Sequence, residues 1–514
     1  MMAITYNRRD LLKSGVALSA GSLVSPLALA AGHKHMKSAA AGKGPFQPSW
    51  NSLRNIAVPQ WLRDGKFGIY THWGIYSVPA YGANGTWYAH NMYTKPNSDD
   101  AKHQIATYGP LEKFGYKDFI PMFTGSHFDA DEWAELFKNA GARFAGPVAE
   151  HHDGFAMWNT KYSKWNAAKM GPKRDVVGEL SKAIKQQDMK FLTAFHHSAH
   201  WFYFPTWDKR YDVSDPRYAG LYGESHEPGA LPDKKFLDEW EGKLIEVVDN
   251  YDPDVVWFDF GLRLIQEWYK KNFLAYYFNR AAALGKEVTV TYKNHNFTPG
   301  VGINDLELGQ ELNMTYSEWI TDTTVDSGSA WGYVKSIGFK SVNELVTGLV
   351  DRVSKNGFLL LNVGPKPDGT IPEPAKERLR GIGDWLRING EAIYGTSPWL
   401  VAAEGPTQLK KSGPFNENNA LQYTPQDIRF TTKDDYLYVT VLAWPGDRAY
   451  ITSLVPNGKT WAGLYPSEID SIKMLGSDEP IKWEFTKEAL VLTTPKTKPC
   501  NDAFVYRITL KKPF

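Results

Sequence analysis

The sequence predicts an α/β protein, a (β/α)8-like TIM barrel followed by a small antiparallel β-sandwich. Two changes of texture carry that prediction. From about residue 65 to 395, short β-rich apolar runs alternate with longer amphipathic stretches, the pattern of parallel strands with crossover helices. After Gly390-Glu391-Ala392-Ile393-Tyr394-Gly395, short alternating runs are separated by turn residues instead, as in antiparallel sheets. The 514-residue length suits two domains.

Taken in order, the chain opens on an address. Arg8-Arg9 precede a weakly apolar stretch from Val16 to Leu29, which closes on Ala28-Leu29-Ala30-Ala31. A paired Arg before such a run and an A-x-A type end reads as a twin-arginine export signal over residues 1–31. A Sec signal is the plainer alternative. Gly, Ser and Pro interrupt the run, so no membrane anchor is expected. The expected location is therefore periplasmic or secreted. Residues 32–47 read as a flexible leader, 48–398 as the barrel and 399–514 as the sandwich.

Within the barrel, strands are expected at Phe67 to Trp73, Phe144 to Ala149, Phe191 to His196, Val255 to Asp259, Val288 to Tyr292 and Phe358 to Val363. Helices are expected at Asp131 to Ala140, Val176 to Gln187, Lys234 to Asn250, Leu264 to Leu284 and Val342 to Lys355. No Gly-x-Gly-x-x-Gly turn follows a strand, which favours a closed barrel over an open doubly wound sheet. Beyond residue 399, Tyr436 to Leu442, Leu490 to Thr493 and Ala503 to Leu510 read as antiparallel strands.

Composition narrows the function. With 58 Lys and Arg against 57 Asp and Glu, the net charge of +1 offers no basic surface for nucleic acid. The single cysteine, Cys500, allows no intrachain disulfide. Aromatic residues make up 14% of the chain, which suits either stacking on sugars or a large aromatic core.

Barrel chemistry gathers at the C-terminal ends of the strands. Here those ends read Thr71-His72-Trp73, Glu150-His151-His152-Asp153, His196-His197 and Trp257-Phe258-Asp259. Five of 13 histidines thus occupy three successive strand ends, too many for coincidence. Two His and a carboxylate would suit zinc or iron. Against a metal, neighbours such as His151 and His152 point to opposite faces of a strand. No metal and no cofactor are expected.

Asp259 follows a buried run and emerges at the barrel mouth, although a helix N-cap before Leu262 is the bland reading. A glycosidase needs two carboxyl groups, one ionised and one with a raised pKa. Candidate partners for Asp259 lie in Asp305-Leu306-Glu307-Leu308-Gly309-Gln310-Glu311 and at Glu318, and spacing does not choose among them.

Several motifs resemble the α-L-fucosidase family, glycoside hydrolase family 29, over nearly all of residues 50–398. Lys66-Phe67-Gly68-Ile69-Tyr70-Thr71-His72-Trp73-Gly74 is similar to its opening strand, and His151-His152-Asp153-Gly154-Phe155 to its second. Leu361-Asn362-Val363-Gly364-Pro365 with Asp368-Gly369-Thr370-Ile371-Pro372 resembles the last strand and its exit. The resemblance implies an exo-acting retaining α-L-fucosidase, taking fucosylated oligosaccharide or polysaccharide as substrate. It implies Asp259 as nucleophile, with His72, Trp87, His151, His152 and Trp257 around fucose. For the acid/base it favours Glu307, with Glu311 as alternative and Glu318 behind both.

The sequence also departs from the family. Thr86 stands where a Glu precedes the loop Trp, His197 is read as replacing a Tyr after strand three and is expected to bind substrate in its place, and Lys293 stands where some members have Arg. These departures keep a second reading open, a related glycosidase acting on L-galactose or sulfated fucose of algal polymers. A non-catalytic sugar-binding protein is the third.

Overall fold

The computed structural model describes residues 44–328, 330–417, 421–456, 458 and 460–511. The export signal and the leader up to residue 43 lie outside the described residues. Among those described, no helix is long and apolar enough to cross a membrane.

A closed parallel barrel forms from β1 (Phe67–Thr71), β2 (Phe144–Glu150), β3 (Lys190–Phe195), β4 (Val255–Phe258), β5 (Thr289–Tyr292), β6 (Ile303–Asp305), β7 (Trp319–Thr324) and β8 (Gly357–Val363). Each strand pairs with the next, and β8 closes on β1 with Tyr70 opposite Asn362. Six of these strands match the expectation. The other two carry little signal. β6 is three residues long with two of them Asn and Asp, and β7 reads Trp-Ile-Thr-Asp-Thr-Thr, so neither shows an apolar run.

Strand alternation sorts the core into two layers. Tyr70, Val255, Trp257, Phe358 and Leu360 fill the barrel interior. Ile69, Val256, Phe258, Leu359 and Leu361 pack outward against the helices. Amphipathic helices such as Ala130–Asn139, Val176–Gln186 and Val342–Ser354 supply the outer wall. Asp129, Asp175 and Ser341 cap their first turns by accepting backbone N–H groups. The parity that turns Val255 and Trp257 inward also directs Asp259 to the interior side of the mouth.

A second β unit follows. One sheet holds, in spatial order, β13 (Ile469–Met474), β16 (Phe504–Leu510), β11 (Tyr436–Val441), β10 (Ile428–Lys433) and β9 (Ser397–Glu404). The other holds β12 (Arg448–Ile451), β15 (Leu490–Thr493) and β14 (Trp483–Phe485). Phe430, Val439, Ile451, Leu490, Leu492 and Tyr506 share one core between the sheets.

Buried charge joins the barrel to this β unit. Arg429 of β10 donates from Nε to Asp351 Oδ1 at 2.6 Å, and Lys355 donates to Asp351 Oδ2 at 2.8 Å. Burial alone would raise the Asp351 pKa, but Arg429 and Lys355 pull it down to about 2. A depressed carboxylate stabilises the fold above its unfolded pKa of about 3.9. That contribution is expected to fade as pH falls from there through about 2. Arg429→Met leaves Asp351 short of a partner and is expected to cost about 3 kcal/mol in denaturant unfolding at neutral pH. The loss should shrink on acidification; an equal loss at every pH would contradict the assignment.

Candidate active site

Lys293, directly after β5, organises the barrel mouth. Its Nζ lies 3.3 Å from Asp259 Oδ1, 3.0 Å from Glu307 Oε2 and 3.1 Å from Asp322 Oδ2. The ammonium also sits over the Trp257 ring at 4.7 Å. Burial would lower the Lys293 pKa, yet Asp322, Glu307 and Asp259 raise it well above its ordinary value. One nitrogen touches both Asp259 and Glu307, so their nearest oxygens cannot be farther apart than the sum of the two contact lengths.

Asp259 gathers the densest set of donors. Burial pushes its pKa up, but Lys293, His196 and bonds from His152 and His196 hold it well below the usual carboxylate range. His196 Nδ1 lies 3.0 Å and His152 Nε2 3.2 Å from its Oδ2. Glu307 has fewer partners. Burial raises its pKa to about 7 against the pull of Lys293, with Asp322 and Asp259 adding to the rise. Two carboxyl groups on one lysine are thereby set to opposite protonation states near neutrality.

Asp322 accepts from the Tyr70 hydroxyl at 2.9 Å, and its N–H donates to Asp305 Oδ1 at 3.1 Å. Asp305 also accepts from the Trp257 indole. Burial, then the neighbouring Asp322, raises the Asp305 pKa well above the ordinary range.

Four imidazole rings form one side of the mouth. His151 and His196 have ring centroids 4.3 Å apart, His72 and His196 4.9 Å, and His151 and His152 4.4 Å. Contrary to the alternating faces expected of strand neighbours, His151 and His152 face one site, because β2 ends at Glu150. Burial, then the neighbouring imidazoles, holds His72 and His151 well below the usual histidine range, and His196 is lowered to about 4. The neutral His196 ring therefore places its proton on Nδ1, facing Asp259. His196 Nε2 and His151 Nδ1 are buried with no hydrogen-bond partner among the described residues. Ligand atoms of His72, His151 and His196 lie within 4.8 Å of one another, as do those of His152, His196 and Asp259. Such nitrogens can bind a metal or accept from hydroxyl groups.

Aromatic rings adjoin these imidazoles. Trp87 lies 5.3 Å from His152 and parallel to Phe260 at 6.1 Å. Trp331 closes the floor beside His72 at 5.3 Å, and its carbonyl accepts from Asn362. Trp257 is fully buried beneath Lys293.

Most of the expected residues converge: Asp259, Glu307, His72, Trp87, His151, His152 and Trp257. His197 does not. Its ring stacks on Trp240 and its Nε2 meets the Trp240 carbonyl at 3.3 Å, behind the strand; His196 takes the place beside Asp259. Glu318 precedes the first residue of β7 and pairs with Arg63, so it lies at the opposite end of the barrel from the mouth. Glu311 is not among the three carboxylates on Lys293; the neighbouring Gln310 pairs with Gly413. Asp322 and Trp331 were missed altogether, the first inside a strand with no apolar run and the second in a loop without pattern.

A carboxylate held ionised beside a carboxyl with a raised pKa is the arrangement that cleavage of a glycosidic bond uses. Fold and site together define a glycoside hydrolase. The family model described as alpha-L-fucosidase matches residues 34–391, and that of the alpha-L-fucosidase C-terminal domain matches residues 422–509. The tissue alpha-L-fucosidase of Rattus norvegicus is 30% identical over 486 residues, covering 91% of this chain and 94% of that one. The plasma alpha-L-fucosidase of Homo sapiens is 32% identical, covering 85% and 86%. Among solved structures, the Thermotoga maritima alpha-fucosidase in complex with fucose is 32% identical with a TM-score of 0.72, covering 90% of this chain and all of that one. The chain belongs to the α-L-fucosidase family.

Proposed function

We propose that this enzyme removes terminal α-L-fucose from glycans or polysaccharides by double displacement, with retention of configuration. Asp259 attacks the anomeric carbon, and the Glu307 carboxyl gives its proton to the departing oxygen. Water then opens the fucosyl-enzyme, and Glu307 takes the proton back. The observation carrying this reading is the shared contact of both carboxyls on Lys293. With contacts of 3.3 and 3.0 Å to one nitrogen, the nearest oxygens of the pair lie no farther apart than the sum of the two, a bound that fits the roughly 5–5.5 Å of retaining enzymes and reaches only to the edge of the roughly 6.5–9.5 Å of inverting ones.

The other residues take roles that their chemistry suits. His151 Nδ1 and His196 Nε2 are buried ring nitrogens with no partner among the described residues, suited to hydrogen-bonding sugar hydroxyls. Trp87 and Phe260 offer an apolar wall for a deoxy sugar's methyl group. His196→Ala removes a hydrogen bond to the Asp259 carboxylate and is expected to lower kcat/KM by about 10- to 100-fold. The acid limb of the pH profile should move upward, because His196 helps hold Asp259 ionised. An unmoved acid limb in steady-state kinetics on an aryl α-L-fucoside would remove His196 from this role.

The proposal extends to the chain's layout. A division just before β9 (Ser397–Glu404), two residues ahead of the one expected between 398 and 399, is supported by that strand's place in the second sheet. Export is supported by the Arg8-Arg9 leader and is tested by the mass of the mature N-terminus after expression with a twin-arginine system.

A further inference from the structure

The loop carrying Glu307 is held on both sides. Toward the barrel, Leu306 and Leu308 donate N–H groups to the Ile320 and Asp322 carbonyls of β7 at 2.8 Å each. Thr321 Oγ1 donates to the Leu306 carbonyl at 2.6 Å. Away from the barrel, the loop meets residues 411–417, part of the connection between β9 and β10 of the second β unit. Phe415 N–H donates to the Glu307 carbonyl and Glu417 N–H to the Leu308 carbonyl, both at 2.7 Å. Gly413 and Gln310 exchange backbone bonds, and Gln310 Nε2 donates to the Lys411 carbonyl at 3.1 Å. Leu308 takes a left-handed φ of 45°, a strained value for leucine that persists only when its surroundings enforce it.

One side chain fastens this strap. The Glu417 carboxylate accepts from Thr323 Oγ1 at 2.6 Å and Lys340 Nζ at 3.0 Å through Oε2, and from Arg352 Nη2 at 2.8 Å through Oε1. Arg352 Nη2 also reaches the Gly309 carbonyl at 3.2 Å, inside the Glu307 loop. β7 serves both sides of the site by alternation: Asp322 faces Lys293 inside, while Thr321 and Thr323 face the loop and the strap.

We propose that Glu417 is a positioning residue for the reaction, clamping the strap across the loop so that the Glu307 carboxyl is aimed at the leaving-group oxygen. The second β unit thereby completes the active site of the barrel. This inference rests on Glu307 being the acid.

The test compares two substrates in the full-length enzyme. Methyl α-L-fucoside needs its leaving oxygen protonated; dinitrophenyl α-L-fucoside does not. Glu417→Gln keeps the side-chain size and removes the charge. Its kcat/KM on the methyl fucoside is expected to fall about 100-fold, with kcat/KM on the dinitrophenyl fucoside, which reports only the first step, within about threefold of wild type. Thr323→Val, which deletes the bond to Glu417 and the one from Lys340 but neither ion-pair partner of Glu417, should show the same selectivity more weakly and decides the matter if Glu417→Gln does not fold. Equal losses on both substrates, or none on either, overturn the positioning role. Glu307→Ala is run in parallel. If it shows no leaving-group dependence, the acid assignment itself falls. If it does while Glu417→Gln and Thr323→Val do not, only the clamp falls.

Discussion

Asp259→Ala is expected to reduce turnover of an aryl α-L-fucoside by about 10⁴-fold or more, the scale seen when a covalent nucleophile is deleted. The carboxylate sits among Lys293, His196 and His152, which stabilise its negative charge and keep it available for attack. That charge is neutralised when the fucosyl ester forms, so the same groups must tolerate both states. The loss should be independent of the leaving group, because attack is required for any aglycone. Measuring kcat/KM on good and poor leaving groups checks this, and retention of more than a small fraction of activity on either would contradict the nucleophile assignment. Folding should survive, since Lys293 keeps Glu307 and Asp322 as partners when Asp259 is gone; a thermal melt alongside the kinetics separates the two effects.

Glu307→Ala is expected to behave differently. On poor leaving groups the loss should reach about 10²–10⁴-fold, the usual contribution of a general acid. On dinitrophenyl α-L-fucoside the first step should be spared and breakdown of the intermediate slowed, so that added azide restores turnover by intercepting the fucosyl-enzyme. The pH profile gives a second signature. The proposed mechanism needs Glu307 protonated, and its pKa is raised to about 7 by burial and by the Asp322 and Asp259 charges. Activity should therefore fall as pH rises through about 7, and this limb should vanish in Glu307→Ala. Asp259 must be ionised and is held well below the carboxylate range, so the acid limb should lie far lower. An alkaline limb that persists unchanged in Glu307→Ala would assign it to another group.

The sequence made the outer parts of this arrangement legible. Apolar runs such as Val255-Val256-Trp257-Phe258 announce a barrel strand, and the polar residue that ends one is directed to the mouth, as at Asp259. All four converging imidazoles lie at strand ends read this way, although the sequence marks only His72, His151 and His152 of them as site residues. His196 and His197 show the limit: both end β3, and only the side-chain direction, fixed in three dimensions by Asp259 on one side and Trp240 on the other, tells them apart. The choice among Asp305, Glu307, Glu311 and Glu318 failed on spacing for the same reason. β6 is only three residues long, so its register was invisible, and with it which carboxyl meets Lys293. Asp322 and Glu417 were unreadable because each draws its meaning from partners dozens of residues away, Lys293 for one, Lys340 and Arg352 for the other.

The central claim is double displacement at a pair of carboxyls joined through Lys293, and the stereochemistry of the first-formed product tests it most directly. Proton NMR during hydrolysis of an aryl α-L-fucoside by the purified enzyme resolves the α and β anomers of free fucose before they equilibrate. The account predicts that α-L-fucose appears first and the β anomer only later, by mutarotation. β-L-fucose appearing first would mean a single displacement by water, and would contradict the covalent role given to Asp259.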